Sequence, residues 1–353
     1  MTDHIITIAE VRAFLKEIEG QEISLDKLRS ELGIEKYDPQ GNITKSFNTI
    51  RVLVHQLEEH KLLRYVNRGL YMVVKQVEPV QVFGIDREER PLFPLVFPRD
   101  IDTMMEMDFA KDVVIREGDL VTVGGVKSVG KTHLALNFIG ENINIHPVLM
   151  GNEYTIILED GKNDVAQRFY KRLKVMSITN ADNGGWIEWR DEMGNDKFTL
   201  LPVDSDYAEH IVKNRLNIID WIDLDGSRLY DIGHLLKGVK KNLGRGVGIV
   251  FLQKSGANID PRGGQFVRDY SDLEIILDNF GDSDVLLTIR GCKEMTAPIL
   301  GKTYAYHLSF KDSGTQTHNF REVKKCPACK GTGYTKQQKC EMCWGLKFVE
   351  MDK

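Results

Sequence analysis

The stretch Val121–Phe138, VTVGGVKSVGKTHLALNF, decides the fold of the chain around it. A β-branched run leads into a glycine-rich turn, and an amphipathic segment follows the turn. Within the turn, Gly125 is followed by four residues and then by Gly130-Lys131-Thr132. This spacing is typical of a phosphate-binding loop between a strand and a helix. The sequence therefore predicts a nucleotide-binding α/β domain built around this loop.

The predicted loop supplies three kinds of phosphate-binding group. Its glycines let backbone N–H groups turn toward the phosphates, Lys131 reaches the β- and γ-phosphates, and the Thr132 hydroxyl ligates Mg²⁺. The N-terminus of the following helix adds a partial positive charge. ATP and Mg²⁺ are thus the expected ligands. The residues predicted to hold them are Gly125, Val126, Lys127, Ser128, Val129, Gly130, Lys131 and Thr132.

Three further polar residues are predicted to follow apolar strands, at the edge where open parallel sheets bind ligands. Asp220 ends the run NIID and is expected to hold the water shell of Mg²⁺, with Asp223 or Asp225 as alternatives. Glu159 in YTIILEDG is expected to deprotonate an attacking water, although an acid at a strand end also suits plain solvation. Gln253 in VGIVFLQ is expected to contact the γ-phosphate.

Length and charge limit the classes of protein that fit. The 353 residues suffice for two or three globular units, and the formal net charge of -5 argues against a uniformly basic nucleic-acid-coating protein. No apolar run approaches the roughly 20 residues that span a bilayer, and the first residues lack the order typical of a signal peptide. We expect a cytoplasmic protein, in a bacterium or a virus-infected host, with no membrane partner.

Residues 1–76 show the pattern of three helices followed by a β-hairpin. The helical stretches are EVRAFLKEI, SLDKLRSEL and TKSFNTIRVLVHQLEEH, with Ser24 and Thr44 as predicted N-caps of the second and third. The stretch LLRYVNRGLYMVV alternates around the turn Asn67-Arg68-Gly69. This order resembles a winged-helix domain, with the third helix as its recognition helix.

The winged-helix resemblance implies duplex contacts from the third helix and the wing. We expect Phe47, Ile50, Val54 and Leu57 to face inward. The same surface also suits a protein-interaction or oligomerisation module. The residues expected to be exposed and available for nucleic acid are Lys45, Asn48, Thr49 and Arg51 on the helix and Arg64 and Arg68 on the wing.

The rest of the chain divides into three predicted segments. Residues 77–100 contain four prolines and are predicted to be a linker. Residues 101–320 alternate apolar strands with helical segments, the pattern of a mostly parallel sheet flanked by helices. Residues 321–353 hold four cysteines and are too short for a core without metal.

The order of motifs in the central segment resembles that of RecA-like ATPases. Glu159, Asp220 in LNIIDWIDLD, Gln253 in IVFLQKSG and the later stretch RGGQFVRDYSDLEIIL follow that order. The similarity extends to DnaB-type hexameric replicative helicases, KaiC-like ATPases and the RepA-like ATPases of phages and plasmids, over roughly residues 118–320. It implies a RecA-like P-loop core and a homo-oligomer, such as a hexamer, with ATP between subunits.

The same resemblance implies two sets of cationic residues. Arg290 and Lys293, in LLTIRGCKEMTAPILGKTY, fit the positions that reach the γ-phosphate of a neighbouring subunit, although the helicase pattern has lysine before arginine and then Gly-Pro. Surface cations on an edge strand are the alternative. Lys254, Arg262 and Arg268 lie in the glycine-rich stretch KSGANIDPRGGQFVRD, equivalent to loops that grip single-stranded DNA in RecA-like motors. An ordinary mobile loop is the alternative.

The cysteines near the C-terminus form two CxxC pairs ten residues apart. Two such pairs point four thiolates at one tetrahedral site, which predicts structural Zn²⁺ bound by Cys326, Cys329, Cys340 and Cys343. Gly331 and Gly345 give each pair a resemblance to the units of the DnaJ-type zinc domain. Cys292 is left as a small buried residue. Nucleic acid and a protein partner both suit the nearby lysines Lys324, Lys325, Lys330, Lys336 and Lys339.

Together these features predict an ATP-hydrolysing, DNA-binding motor. The expected protein is a phage- or plasmid-type replicative helicase or DNA-dependent ATPase that acts on single-stranded DNA as an oligomer. One alternative is an ATP-controlled DNA-binding switch, such as a replication initiator or regulator, without unwinding activity. Another is a recombinase-like ATPase that forms filaments.

Overall fold

A computed structural model describes the chain as two compact units, residues 1–88 and residues 89–353. The side chains at positions 180, 181, 183 and 221 are outside the description. The residues whose backbone the structure describes are 6–79, 83, 89–151, 153–160, 163–222, 231–255, 260–261, 263–281, 283–309 and 316–351.

Within its described residues, the N-terminal unit contains three helices and a three-stranded antiparallel sheet in the order β1-β3-β2. Thr7 caps the first helix in a capping box with Glu10, and Ser24 and Thr44 cap the second and third helices as predicted. The sequence missed the first strand, because three residues are too few to show a period. The elements are α1 (Ile8–Glu17), β1 (Glu22–Ser24), α2 (Leu25–Glu31), α3 (Lys45–Glu59), β2 (Leu63–Asn67) and β3 (Leu70–Val73).

Helix α3 supplies one face of the core of this unit. Ile50, Val54 and Leu57 are buried, as their helical spacing predicts. Phe47 is only half-buried, because its ring lies beneath the guanidinium of Arg29 at 4.8 Å instead of in the core.

The larger unit has a ten-stranded sheet, a separate two-stranded hairpin (β6 and β7), a second hairpin (β15 and β16) and four helices within the described residues. The elements are β4 (Leu120–Gly125), α4 (Lys131–Glu141), β5 (Val148–Met150), β6 (Thr155–Ile157), β7 (Asn163–Val165), α5 (Gln167–Met176), β8 (Thr199–Leu201), β9 (Leu216–Ile222), α6 (Ile232–Asn242), β10 (Val247–Gln253), α7 (Gln265–Tyr270), β11 (Leu273–Phe280), β12 (Asp284–Cys292), β13 (Thr303–Leu308), β14 (Thr317–Lys325), β15 (Tyr334–Thr335), β16 (Gln338–Lys339) and β17 (Phe348–Glu350).

The strand order in the large sheet is β17-β14-β13-β12-β11-β4-β10-β9-β5-β8. The six strands from β11 to β8 are parallel, and the other four continue the sheet in antiparallel fashion. This confirms the predicted α/β class with a mostly parallel sheet. Every residue of β4 is buried, because other strands flank it and both faces of the sheet are covered.

Strand β4 lies at the point where the strand order reverses. From β4 the chain first builds β5 on one side, and it later places β11 on the other side of β4. In open parallel sheets, such a switch point leaves a crevice at the carboxyl ends of the strands, where ligands bind. The predicted phosphate-binding loop follows β4 directly and therefore opens into this crevice.

The predicted linker over residues 77–100 needs correction, since residues 89–100 pack against the larger unit. Arg90 donates a 3.1 Å hydrogen bond to the carboxylate of Asp119, and Phe97 is 3 % exposed in the main core. The prolines prevent a helix, but the apolar side chains between them still gain free energy from burial.

The predicted boundary at residue 320 falls inside β14, which runs into the cysteine-rich segment. Strand β14 begins at Thr317, whose hydroxyl lies 2.9 Å from Nε2 of His133 on α4, and ends next to Cys326. After the cysteines, β17 returns and pairs with β14 as the edge strand of the sheet. The cysteine-rich segment is thus joined to the sheet by strands on both sides.

We expect Asn142→Ala to destabilise the larger unit by about 3 kcal/mol, because buried polar groups would lose their partners. The Asn142 side chain accepts a hydrogen bond from Val96 N at 2.9 Å and donates to Val96 O at 2.7 Å and Phe138 O at 2.8 Å. Thermal unfolding of the larger unit measures this loss. Asn195→Ala, in an exposed turn, is the control, and equal melting of the two variants would contradict the interpretation.

Candidate functional sites

The glycine-rich loop connects β4 to α4, as the sequence predicts. Gly130 has φ +98°, and a β-carbon there would lie 2.6 Å from Cδ1 of Leu308. A side chain at this position is therefore excluded by both backbone conformation and space. Lys127 and Ser128 are exposed at the tip of the loop, whereas Val129 is buried beneath it.

The amine of Lys131 is buried at the centre of the loop. It donates hydrogen bonds to the carbonyls of Gly125 at 3.1 Å and Val126 at 2.9 Å, and to Oε1 of Gln253 at 3.1 Å. Burial lowers the pKa of Lys131 to about 8, against the opposing effect of Asp220 and Glu153. The end of β10 thus brings Gln253 to the loop lysine.

Asp220 on β9 faces the same point from the neighbouring strand and is 4 % exposed. Its Oδ2 accepts a short hydrogen bond from the Tyr154 hydroxyl. Burial raises the pKa of Asp220, although interactions with Tyr154, Thr132 and Lys131 partly offset this. Oδ1 of Asp220 is buried and accepts no hydrogen bond from any group in the described part of the chain. An orphaned carboxylate oxygen beside a threonine hydroxyl suits a hydrated Mg²⁺ ion.

Glu159 does not occupy the position predicted for it. The apolar run before it forms β6, which pairs with β7 in a small antiparallel hairpin separate from the large sheet. Glu159 itself is exposed beyond the end of β6. The sheet strand that precedes this region is β5, which ends at Met150. Hence Glu159 does not follow a strand that points into the crevice.

Glu153 is the acid that follows the sheet strand β5. Its charge acts on both Lys131 and Asp220, whose pKa values it raises. The sequence reasoning missed Glu153 because it assigned the sheet strand to the longer apolar run TIIL instead of to the shorter PVLM. The sequence did carry a signal for Glu153, namely the short apolar run VLM followed three residues later by an acid.

Tyr154 is the second residue that sequence reasoning missed. Besides its bond to Asp220, its ring packs against Phe169 with centroids 4.6 Å apart. Burial raises the pKa of Tyr154 well above its ordinary value, so its hydroxyl stays protonated and remains a donor to Asp220.

The cations predicted to bind single-stranded DNA are engaged within the protein. Lys254 is only 4 % exposed and pairs with Asp278 at 2.5 Å, so its predicted availability to DNA is wrong in this conformation. Arg268 on α7 contacts Asp260 at 2.7 Å and the buried Glu274 at 3.4 Å. Asp260 and Glu274 lie within ten residues of Arg268, but sequence spacing alone does not show that these side chains meet, and Asp278 lies 24 positions after Lys254. Arg262 lies outside the described residues, as do the alternative acids at positions 223 and 225.

Lys293 lies at the opposite end of the sheet from the loop of its own chain, and Arg290 lies level with the middle of β4. Strand β12 runs antiparallel to β11, so its carboxyl end is level with the beginning of β11. Arg290 is 3.5 Å from Asp260, and Lys293 is 3.1 Å from Asp272. Neither cation therefore contributes to the lysine cluster of its own chain.

The predicted contact residues of the N-terminal unit lie on its surface. Lys45, Asn48 and Arg51 are exposed along α3, and Arg64 and Arg68 are exposed on the β2–β3 hairpin. Thr49 is half-buried and donates its hydroxyl to the backbone carbonyl of Lys45 at 3.0 Å.

The four C-terminal cysteines converge on one point. Their sulfur atoms all lie within 4.8 Å of one another, and all four residues are buried. The Cys326 and Cys340 sulfurs are 3.8 Å apart, and those of Cys329 and Cys343 are 3.6 Å apart. Four convergent sulfurs match the donor set of a tetrahedral structural Zn²⁺ site.

The two CxxC pairs also repeat each other in backbone geometry. The residues after the second cysteine of each pair, Lys330 and Trp344, have φ of 53° and 51°, and the following glycines have 83° and 84°. This turn directs backbone N–H groups at the sulfurs, as in the 3.3 Å bond from Gly333 N to Cys329 Sγ. Burial opposes ionisation, but these donors and neighbouring cysteines lower the pKa of Cys329 to about 6. At Cys343, burial and the hydrogen bonds with Cys329 and Cys340 raise the pKa to about 11. Metal binding requires the thiolate form of each ligand.

No protein-family model and no curated protein matches this chain. Among the described helices, none combines the length and the apolar character needed to traverse a bilayer.

We expect freshly purified, reduced protein to contain about one Zn²⁺ per chain. Cys340→Ser should lower the bound zinc and loosen the C-terminal segment, because it removes one of four ligands. Elemental analysis of both proteins measures the metal. Cys292→Ser, which changes a half-buried cysteine outside the cluster, is the matched control. Absence of zinc from the parent protein would contradict the assignment.

Proposed function

We propose that the chain binds and hydrolyses ATP with Mg²⁺ as the oligomeric, DNA-dependent motor of a RecA-like ATPase. The observation that carries this proposal is the meeting of Lys131, Gln253 and Asp220 at the carboxyl ends of three adjacent parallel strands. A buried cation, an amide and an orphaned carboxylate oxygen at a topological switch point form a site for a phosphate chain and its metal.

In the proposed mechanism, the Lys131 amine leaves its contacts with the loop carbonyls and pairs with the phosphates. Burial has lowered its pKa, and the negative charge of ATP favours the protonated form. Mg²⁺, held by Thr132 and through water by Asp220, would supply positive charge to the phosphate oxygens. Tyr154 donates to Asp220 and fixes the orientation of that carboxylate.

Glu153 replaces Glu159 as the proposed general base. It follows β5, and its charge already acts on the Lys131 and Asp220 side chains. A carboxylate near the γ-phosphate can orient a water and accept its proton as the water attacks phosphorus. Gln253, bonded to Lys131, is proposed to exchange that bond for one to the γ-phosphate.

An oligomer is supported by the surface next to Glu153. The hairpin after it exposes four large apolar side chains, which is unusual for the surface of a monomer. These are Ile156 (49 % exposed), Ile157 (77 %), Leu158 (41 %) and Val165 (40 %). A second subunit covering this hairpin would lie beside the nucleotide, where Arg290 or Lys293 of that subunit is proposed to reach the γ-phosphate.

Glu153→Gln should retain ATP binding and lose about 10²- to 10⁴-fold in turnover, because the amide cannot accept the proton from water. Glu159→Gln is the matched control and should change turnover by less than about twofold, since this acid lies in the exposed hairpin. Single-turnover hydrolysis and nucleotide binding are measured on both variants. The opposite ranking would return the role of base to Glu159.

An ATP-controlled DNA-binding switch is the second candidate function. It is favoured by the N-terminal unit, where α3 and the β2–β3 hairpin expose Lys45, Arg51, Arg64 and Arg68. These four exposed cations suit phosphate contacts with duplex DNA. In this case ATP would control assembly, and single strands would have little effect on hydrolysis.

The steady-state ATPase rate without nucleic acid, with single-stranded DNA and with duplex DNA separates the two functions. We expect single-stranded DNA to stimulate hydrolysis severalfold at low salt, with less stimulation at high salt because phosphate contacts weaken. Lys131→Ala should abolish the rate under all conditions. A rate indifferent to single strands would favour the switch, and full activity in Lys131→Ala would refute the nucleotide site.

A further inference from the structure

The C-terminal segment exposes two aromatic side chains outside the candidate nucleotide site. Trp344 is 77 % exposed and Tyr334 is 57 % exposed. Exposure of this much aromatic ring surface to water is unfavourable. In proteins such exposure often marks a binding surface. Tyr334 lies directly opposite Lys339 in the β15–β16 hairpin.

The backbone holds the two aromatic residues close together. A β-carbon on Gly333 would lie 2.8 Å from the carbonyl oxygen of Gly345, so these two chain segments are in contact. Tyr334 follows the first of these glycines and Trp344 precedes the second.

Two lysines flank the same contact. Side-chain carbons of Lys347 and Lys339 lie 3.4 Å and 3.7 Å from the positions that β-carbons on Gly333 and Gly345 would take. We call Tyr334, Lys339, Trp344 and Lys347 the aromatic-lysine patch.

The patch lies in a positively charged part of an otherwise acidic protein. Residues 324–347 contain six lysines and one glutamate, whereas the whole chain has a formal charge of -5. A zinc tetrathiolate centre would leave this segment at +3. Within the part of the chain that the structure describes, Lys339 and Lys347 form no ion pair with an acidic side chain. Their charge is therefore available to a polyanion.

From this combination we propose that the aromatic-lysine patch binds single-stranded nucleic acid. The rings of Trp344 and Tyr334 offer faces on which unpaired bases stack, and Lys339 and Lys347 contact the phosphates between them. A duplex hides its base faces, and an acidic protein surface would satisfy the lysines but not the two rings. Binding at this patch is independent of the nucleotide site and of ATP hydrolysis.

The test measures fluorescence anisotropy of a labelled oligothymidine of about 15 nucleotides with the full-length, zinc-loaded chain and no nucleotide. Trp344→Ala and Tyr334→Ala should each weaken binding about tenfold, because each removes a stacking platform. Trp344→Tyr should restore most of the affinity. Tyr170→Ala, at a 57 % exposed tyrosine on α5, is the matched control and should bind as the parent does.

An abasic oligonucleotide of the same length separates stacking from phosphate contacts. Trp344→Ala should leave its binding unchanged, since no base is present. Lys339→Ala should weaken both oligonucleotides and reduce the slope of log affinity against log salt by about 0.7. Lys237→Ala, at an exposed lysine on α6, is the control for charge.

Zinc content and thermal unfolding of each variant show whether the segment remains folded. If Trp344→Ala and Lys339→Ala keep their zinc and bind oligothymidine as tightly as the parent, the proposal is wrong. Preference for an acidic polypeptide over oligothymidine would also overturn it. Failure of Lys131→Ala to affect ATP hydrolysis would instead refute the nucleotide site and leave this inference untouched.

Discussion

The candidate nucleotide site depends on the burial of one ammonium group, that of Lys131. Removing a cation from water is costly, and the protein offsets that cost with two loop carbonyls and the amide of Gln253. These partners require the glycine turn, the end of β10 and the neighbouring Asp220 to meet at one level of the sheet. The order of the parallel strands brings these groups together. The same strand order therefore forms the sheet and surrounds the buried ammonium group with polar partners.

Local chemistry made part of this arrangement predictable from sequence. The loop spacing, the N-caps of α2 and α3, and the paired cysteines each depend on residues close together in the chain. Glu153 was missed because the length of an apolar run does not reveal which run joins the sheet. Lys254 was misjudged because its partner, Asp278, is supplied by a strand 24 positions later. Pairing across the sheet is a property of topology, which a single strand's sequence does not contain.

The charged residues around Asp260 show a related limit of sequence reasoning. Arg268 and Arg290 both contact this one carboxylate, and Arg268 also contacts the buried Glu274. From the sequence, Arg268 is expected to contact nucleic acid, and Arg290 is expected to contact the γ-phosphate bound by a neighbouring subunit. In the folded chain their positive charge is partly neutralised, so an incoming polyanion would have to compete with existing ion pairs. Such competition lowers the net gain from each contact.

The return of β17 to the sheet gives the cysteine cluster a consequence beyond its own folding. Three ladder pairs join β17 to β14, and the chain reaches β17 through the two cysteine turns. Loss of a metal ion held by the four cysteines would free this short strand and uncover the edge of β14 at Val323, Lys324 and Lys325. An uncovered strand edge is a template for pairing with another chain. A metal ion at the cysteine cluster would therefore also protect this edge from pairing with another chain.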